Sequence, residues 1–157
     1  MGRIYQVTFE EVSVTAAQDL VQITIGTKKV CLIHRVWLGC VDVTLPTGQD
    51  CNLRCRYLPS VVTVGSGGTV NITPSKRNQG DAACSSTTCA TNNTTQATTN
   101  GTAVVIDRDG CYLFQGFNKR FEHPPDIPEG AAFVFELLDA PSGTVKLSGG
   151  CEFEELG

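Results

Sequence analysis

The segment Val30–Leu38, with the sequence VCLIHRVWL, decides the fold class of this chain. Successive side chains of a β-strand point to opposite faces of the sheet, and here both alternating sets are largely apolar. Such a segment predicts a central strand. On this pattern Val30, Leu32, His34, Val36 and Leu38 face one way and Cys31, Ile33, Arg35 and Trp37 face the other.

Further strand patterns surround this segment on both sides. They lie at 3–14, 20–25, 53–57, 61–64, 69–73, 103–106, 111–114, 131–138 and 144–154. The dipeptide Asp109-Gly110 predicts a hairpin turn between two of them. No segment has the pattern of a long helix, and about eight strands separated by frequent turns favour a sandwich or jelly roll. We therefore predict an all-β chain, a jelly-roll-like two-sheet β-sandwich that forms a single domain over residues 1–157.

Residues 74–101 depart from this pattern because they contain no large apolar side chain and are rich in Ser, Thr and Asn. A stretch of this length without an apolar anchor is unusual inside a compact domain. We predict an irregular arm that becomes ordered against a partner surface. The candidate partner-contact residues in it are Pro74, Lys76, Arg77, Asn92, Asn93 and Thr94.

Composition and charge exclude several kinds of partner. The net charge is -4, and Lys and Arg occur singly or in pairs, so no basic patch for nucleic acid is predicted. Arg, His or Gly interrupts each apolar run well before the ~18 residues that a membrane-spanning helix requires. The N-terminal sequence lacks the apolar stretch of a secretory signal. We expect neither nucleic acid nor a membrane as a partner.

The chain has eight cysteines, an even number that favours disulfide bonds. Cys40 and Cys51 flank a turn-rich loop, and Cys84 and Cys89 lie in the predicted arm, so we expect a disulfide within each pair. The other four lie in predicted strands, either as small buried apolar side chains or as bridges between strands. These are Cys31, Cys55, Cys111 and Cys151.

The sequence contains little that could support catalysis. Its two histidines are His34, in the predicted central strand, and His123, in a Pro-rich loop. No nucleophile elbow or phosphate-binding loop accompanies them. A zinc site would pair Cys51 and Cys55 with Cys84 and Cys89, a spacing that fits the ligand rule only loosely, so disulfides are favoured. We predict no catalytic residue, no metal and no cofactor.

Three stretches resemble small structural proteins of tailed bacteriophages, and the closest functional group is the capsid decoration, or cement, proteins. The stretches are GRIYQVTF at 2–9, VTAAQDL at 14–20 and NNTTQAT at 92–98. The resemblance implies a non-enzymatic jelly-roll protein, a homotrimer that bridges subunits of the major capsid protein. It would be made in the host cytoplasm and reside on the capsid surface of the virion. Disulfides would then form after release from the reducing cytoplasm.

The alternative is a carbohydrate- or receptor-binding β-sandwich of a phage tail or fibre. Sugar recognition of this kind uses exposed aromatic rings. Trp37, Tyr57 and Tyr112 are the candidates, and their positions in strands favour packing in the core or in an interface.

Overall fold

The computed structural model describes residues 2–42, 50–85 and 87–157, and within them it contains fourteen β-strands and no helix. The strands are β1 (Arg3–Val14), β2 (Gln18–Thr24), β3 (Val30–Cys40), β4 (Asp50–Leu58), β5 (Val62–Thr63), β6 (Thr69–Ile72), β7 (Ser75–Lys76), β8 (Thr88–Asn93), β9 (Thr98–Thr99), β10 (Val104–Tyr112), β11 (Phe117–Arg120), β12 (Asp126–Ile127), β13 (Ala132–Leu137) and β14 (Val145–Leu156). The described part of the chain therefore has no helix that could cross a membrane.

The strands form two large antiparallel sheets and one small one. Sheet A has the order β11-β3-β14-β1-β7, and β12 also pairs with β3. Sheet B has the order β10-β4-β13-β2-β8-β6, and β5 pairs with β9 separately. The prediction of an all-β fold is confirmed, and the two large sheets are compatible with a β-sandwich.

The pairing joins early strands to late strands in reverse order. β1 pairs with β14, β2 with β13, β3 with β11 and β12, and β4 with β10. Successive pairs alternate between sheet A and sheet B. A long antiparallel ribbon that folds over on itself therefore generates both sheets, and it places β1 and β14 inside sheet A.

Both sheets contribute to one apolar core. Each large side chain that is fully removed from water in such a core stabilises the fold by about 1.5–3 kcal/mol. The largest fully buried members are Tyr5, Ile33, Ile127, Leu147 and Phe153 from sheet A and Leu20, Ile23, Leu53, Phe133, Phe135 and Leu137 from sheet B.

The chain between β4 and β10, residues 59–103, is a long excursion that we call the insertion. It adds β7 to sheet A and adds β8 and β6 to sheet B. It also covers the outer face of sheet B, where Ala97 packs with Leu58, Ala132 and Val134 in a second apolar cluster. Alternate residues of β13 thus point into two different clusters, which explains why this strand is buried along its whole length.

The prediction of an irregular arm over 74–101 is wrong for the part that forms β8. This strand pairs with β2 on one side and with β6 on the other, and it is buried from Cys89 to Asn93. Backbone ladders and small side chains bury it without any large apolar residue. That is why its composition resembled the composition of a surface arm.

Two local predictions are corrected by the register of the strands. Asp109 and Gly110 lie inside the continuous strand β10 and pair with Leu53 and Asn52 of β4, so they form no hairpin turn. In β3 the pairing with β14 shifts at a bulge beside Arg35. Beyond that bulge the two faces exchange, and the predicted assignment holds for only part of the strand.

Gly150 marks a close approach in the middle of sheet A, between β1 and β3. A Cβ atom at this position would lie 2.4 Å from the carbonyl oxygen of Val7 and 2.6 Å from Cζ2 of Trp37. Contacts this short with backbone force the strands apart. We therefore predict that Gly150→Ala lowers the free energy of unfolding by roughly 1–3 kcal/mol, measured by urea denaturation.

Gly39→Ala is the matched control, because Gly39 lies in β3 of the same sheet. A Cβ atom there would come no closer than 3.9 Å to its nearest neighbour, the carbonyl oxygen of Ser148. The free energy of unfolding of Gly39→Ala should differ from that of the wild type by less than about 0.5 kcal/mol. Equal losses in the two variants would contradict the proposed crowding.

Candidate functional site

Strand β10 forms one edge of sheet B, and within the described residues its outer side pairs with no other strand. It is nine residues long, whereas the other edge strands, β6, β7, β11 and β12, have two to four residues. Short edge strands protect a protein from unwanted pairing, and a long free edge is a template for another chain. β10 is therefore the strand best suited to strand addition.

Exposed apolar side chains lie at the two ends of β10, on either side of the charged stretch Asp107–Asp109. Val104 and Val105 are 50% and 51% exposed, and Tyr112 at the end of the strand is 42% exposed. Phe114 follows two residues later with its ring 5.7 Å from that of Tyr112, and it is 55% exposed. We call these four residues the β10 edge. Exposed apolar side chains beside the unpaired backbone groups of an edge strand offer a surface to which another chain can bind.

The structure places most of the six candidate partner-contact residues against the chain itself. Pro74, Asn92 and Asn93 are buried within the chain. That they contact a partner stays a prediction. Lys76 donates hydrogen bonds to the carbonyl oxygens of Gln79 and Asp81 at 3.0 and 2.9 Å.

The two remaining candidates are exposed. The guanidinium of Arg77 pairs with Glu152 in sheet A at 2.5 Å, and Thr94 lies on the surface of the insertion. Most of these contacts hold the insertion in place, so they are intramolecular.

The structure contains eight free thiols. Neither predicted disulfide is formed, because Cys40 lies in sheet A opposite Leu147 while Cys84 donates a hydrogen bond to Glu155 at 3.2 Å. Cys51 instead faces Cys111 across β4 and β10, with 3.0 Å between the two sulfur atoms. Sequence spacing could not reveal this pair, since sixty residues separate its members.

Four cysteines are fully enclosed in the core: Cys31, Cys55, Cys89 and Cys151. Burial raises the pKa of each thiol, to about 12 for Cys31. A neutral, enclosed thiol packs as a small apolar side chain and reacts slowly. These four residues therefore act as core packing in the structure.

A groove of about 470 Å³ lies on the outer face of sheet A. Trp37 lies over Gly150 on this face, because the bulge in β3 turns it away from the core. The Arg35 guanidinium lies 5.0 Å from the centre of the indole ring and donates a hydrogen bond to Asn118 at 2.8 Å. Gln115, Asn118 and Ser148 add polar groups to the groove. Sequence alternation alone missed this surface because it could not detect the bulge.

A buried ionic cluster lies on the opposite side of the molecule, between sheet B and the insertion. Glu136 of β13 is fully buried and pairs with both Arg54 and Arg56 of β4. Arg56 also lies 3.9 Å from buried Asp19 of β2. The insertion completes the cluster, since Gln96 donates to Glu136 at 3.2 Å and the Ala97 amide donates to Asp19 at 2.7 Å.

Burial raises the pKa of Asp19 from 3.8 to about 6, and the Glu136 carboxylate adds to this effect while the Ala97 amide opposes it. The folded protein therefore binds this proton more tightly than the unfolded chain does. The resulting stabilisation is fully present below pH 3.8 and is lost as the pH rises through about 6.

We predict that Asp19→Asn removes this loss, since an amide oxygen can still accept the Ala97 hydrogen bond. Between these pH values the wild type should lose up to about 3 kcal/mol more stability than the variant, measured by urea denaturation at a series of pH values. Asp109→Asn, at an exposed carboxylate, is the control and should keep the wild-type slope. An unchanged slope in Asp19→Asn would show that another group titrates in this range.

The described residues contain no group of three or more His, Cys, Asp or Glu side chains placed to hold a metal ion. His34 contacts Glu154 at 3.1 Å, and His123 is exposed in its loop. The two histidines therefore belong to different surroundings.

Comparisons with known proteins identify no relative. No protein-family model matches the chain, and neither a curated protein nor a solved structure is significantly similar to it. Its function therefore has to be argued from its own surface.

Proposed function

We propose that the chain is a non-enzymatic structural protein of a phage virion, a decoration protein that binds and stabilises the capsid shell. The observation that carries the proposal is the β10 edge, a long free strand with exposed apolar side chains. A protein that assembles through its surface needs such a contact, whereas a monomer normally protects it.

The strand pairing supports a jelly-roll fold for this role. In a jelly roll, a ribbon of paired strands wraps into two sheets of four strands. The pairs β1 with β14, β2 with β13, β3 with β11 and β4 with β10 have this arrangement. The insertion then joins β4 to β10, which form the last pair of the ribbon. It adds β7 at one edge of sheet A and β8 and β6 at one edge of sheet B.

The insertion also limits where partners can bind. It covers the outer face of sheet B with its own hydrogen bonds, including one from the Gly65 amide to Gln22 at 3.1 Å. That face is closed, and we assign the contacts with neighbouring copies in a homotrimer and with the major capsid protein to the β10 edge. Repeated contacts over a symmetric shell would make modest individual affinities effectively permanent.

The proposal predicts that the chain is found in purified virions of the phage whose genome encodes it, in stoichiometric proportion to the major capsid protein. Purified protein should also rebind shells from which it has been removed. Val105→Lys should weaken this rebinding about tenfold or more, because it places a charge in the apolar contact. Quantitative mass spectrometry of virions and co-sedimentation with shells measure these results.

Val70→Lys is the matched control, since Val70 is 47% exposed on β6 at the opposite edge of sheet B. It should bind shells as the wild type does. Absence of the chain from virions would overturn the proposed function, and equal binding by the two variants would exclude the β10 edge as the contact.

A second candidate function, saccharide binding, is favoured by the groove around Trp37. An indole ring on an open sheet face, flanked by an amide, a hydroxyl and a guanidinium, offers one apolar surface and several hydrogen-bonding groups. Neutral sugar rings present the complementary combination of apolar faces and hydroxyl groups. Such a protein would act as a receptor-binding module of a tail or fibre.

Trp37 is the single tryptophan of the chain, so its fluorescence reports on this groove directly. If the groove binds saccharides, titration with maltohexaose, cellohexaose or chitohexaose should shift or quench the emission. Asn118→Ala should then weaken the affinity about tenfold, whereas Val105→Lys should leave it unchanged. No spectral change and no calorimetric heat with any of the three sugars would exclude this function.

A further inference from the structure

Cys51 and Cys111 are placed as a disulfide requires. They lie directly opposite each other on the antiparallel strands β4 and β10. Opposite residues in such pairs have Cα atoms about 4.5–5.5 Å apart, within the range of about 4.4–6.8 Å that disulfides span. Their sulfur atoms are already 3.0 Å apart, so closing the bond requires only a small movement of the side chains.

The surroundings of the two thiols differ in a way that supports exchange chemistry. The hydrogen bond between them raises the pKa of Cys51, with burial adding to the effect, and lowers the pKa of Cys111. Cys111 is also the less buried of the two, and both cysteines line a shallow opening of about 230 Å³ together with Asn52 and Tyr112. A small reagent can therefore reach the pair through this opening, and Cys111, the less buried thiol with the lowered pKa, is the better first nucleophile.

The other cysteines do not compete for this role. Four are enclosed in the core with raised pKa values, and Cys84 is engaged by Glu155. Cys40 is half-buried but lies in sheet A, where its direct neighbour across the ladder is Leu147. Among the described residues Cys51 and Cys111 are the cysteine pair whose sulfur atoms are in contact.

We propose that Cys51 and Cys111 form a disulfide by exchange with a small-molecule disulfide, and that this bond locks β10 to β4. The inference is independent of the proposed virion function, because it rests on the register of the two strands. It adds a site of covalent modification at the edge of sheet B.

The chemistry balances with glutathione disulfide as the oxidant. The Cys111 thiolate attacks one sulfur of glutathione disulfide, which forms a mixed disulfide and releases one glutathione thiolate. Cys51 then loses its proton and attacks the Cys111 sulfur, which releases the second glutathione thiolate. The released thiolates take up the two protons, so the protein is oxidised by two electrons and two glutathione molecules are formed.

The bond would act on an edge strand, which among the described residues pairs on one side only. β4 is the strand that pairs with β10, and the ladder between them is interrupted by a register shift near Val105. A covalent link at Cys111 fixes the end of β10 that leads to Tyr112 and Phe114. Oxidation should therefore hold the exposed aromatic pair in one position.

The test is incubation of the full chain in a glutathione redox buffer, followed by alkylation of free thiols and digestion with trypsin and Asp-N. Asp-N cleaves before Asp50 and trypsin cleaves after Arg54, so the peptide 50–54 carries Cys51 without Cys40 or Cys55. The expected product links it to the peptide 109–119, with a loss of two hydrogen atoms from the intact mass. A link from Cys51 to Cys40, or full alkylation of Cys51 and Cys111 under oxidising conditions, would overturn the proposal.

Stability provides a second measurement. Oxidation should raise the Tm of the wild type by on the order of 5–10 °C and slow amide exchange along β10. Cys111→Ser should abolish this rise, and Cys40→Ser, the matched control at the other half-buried strand cysteine, should retain it. Circular dichroism of reduced Cys111→Ser checks that its fold is intact. An equal rise in Cys111→Ser and wild type would also contradict the proposal.

Discussion

The buried ionic cluster on the outer face of sheet B constrains the rest of the structure. A carboxylate such as Glu136 can be removed from water only when cations and hydrogen-bond donors surround it. Arg54 and Arg56 supply the cations from the same sheet, and Gln96 donates to Glu136 from above. The amide of Ala97 donates in the same way to the neighbouring carboxyl group of Asp19. An apolar cover would leave these groups unsatisfied. The insertion is therefore polar because the face of sheet B that it covers carries buried charged groups that need hydrogen-bond donors.

This complementarity divides the surface of the molecule into a closed part and open parts. Sheet B is covered on its outer face, while its edge strand β10 and the outer face of sheet A remain open to solvent. The proposed shell contact and the proposed disulfide both belong to the same open edge. A covalent tie between β4 and β10 would stiffen the strand that assembly would use, so that a shell built inside a cell would become more robust outside it.

The sequence contained enough information for the fold class but not for the arrangement of the site. Alternation in Val30–Leu38 and the long apolar run at 131–138 predicted buried strands because their own side chains supply the burial. Strand β8 was missed because its burial comes from partners distant in the sequence. Trp37 was assigned to the wrong surroundings because a single bulge reverses the two faces of β3. The contact between Cys51 and Cys111 depends on strand register, which local patterns do not encode.

The insertion leaves sheet B and returns to it at nearly the same point. Its base is closed by pairing of β5 with β9, and by hydrogen bonds between Ser60 and Thr99. Its tip is the exposed turn at Asn78–Asp81, where the Asp81 amide bonds to the Asn78 carbonyl oxygen at 3.0 Å. Lengthening a loop whose ends are already held costs little additional entropy. This turn is thus a natural position for genetically fused peptides, and the molecule has the layout of a display scaffold.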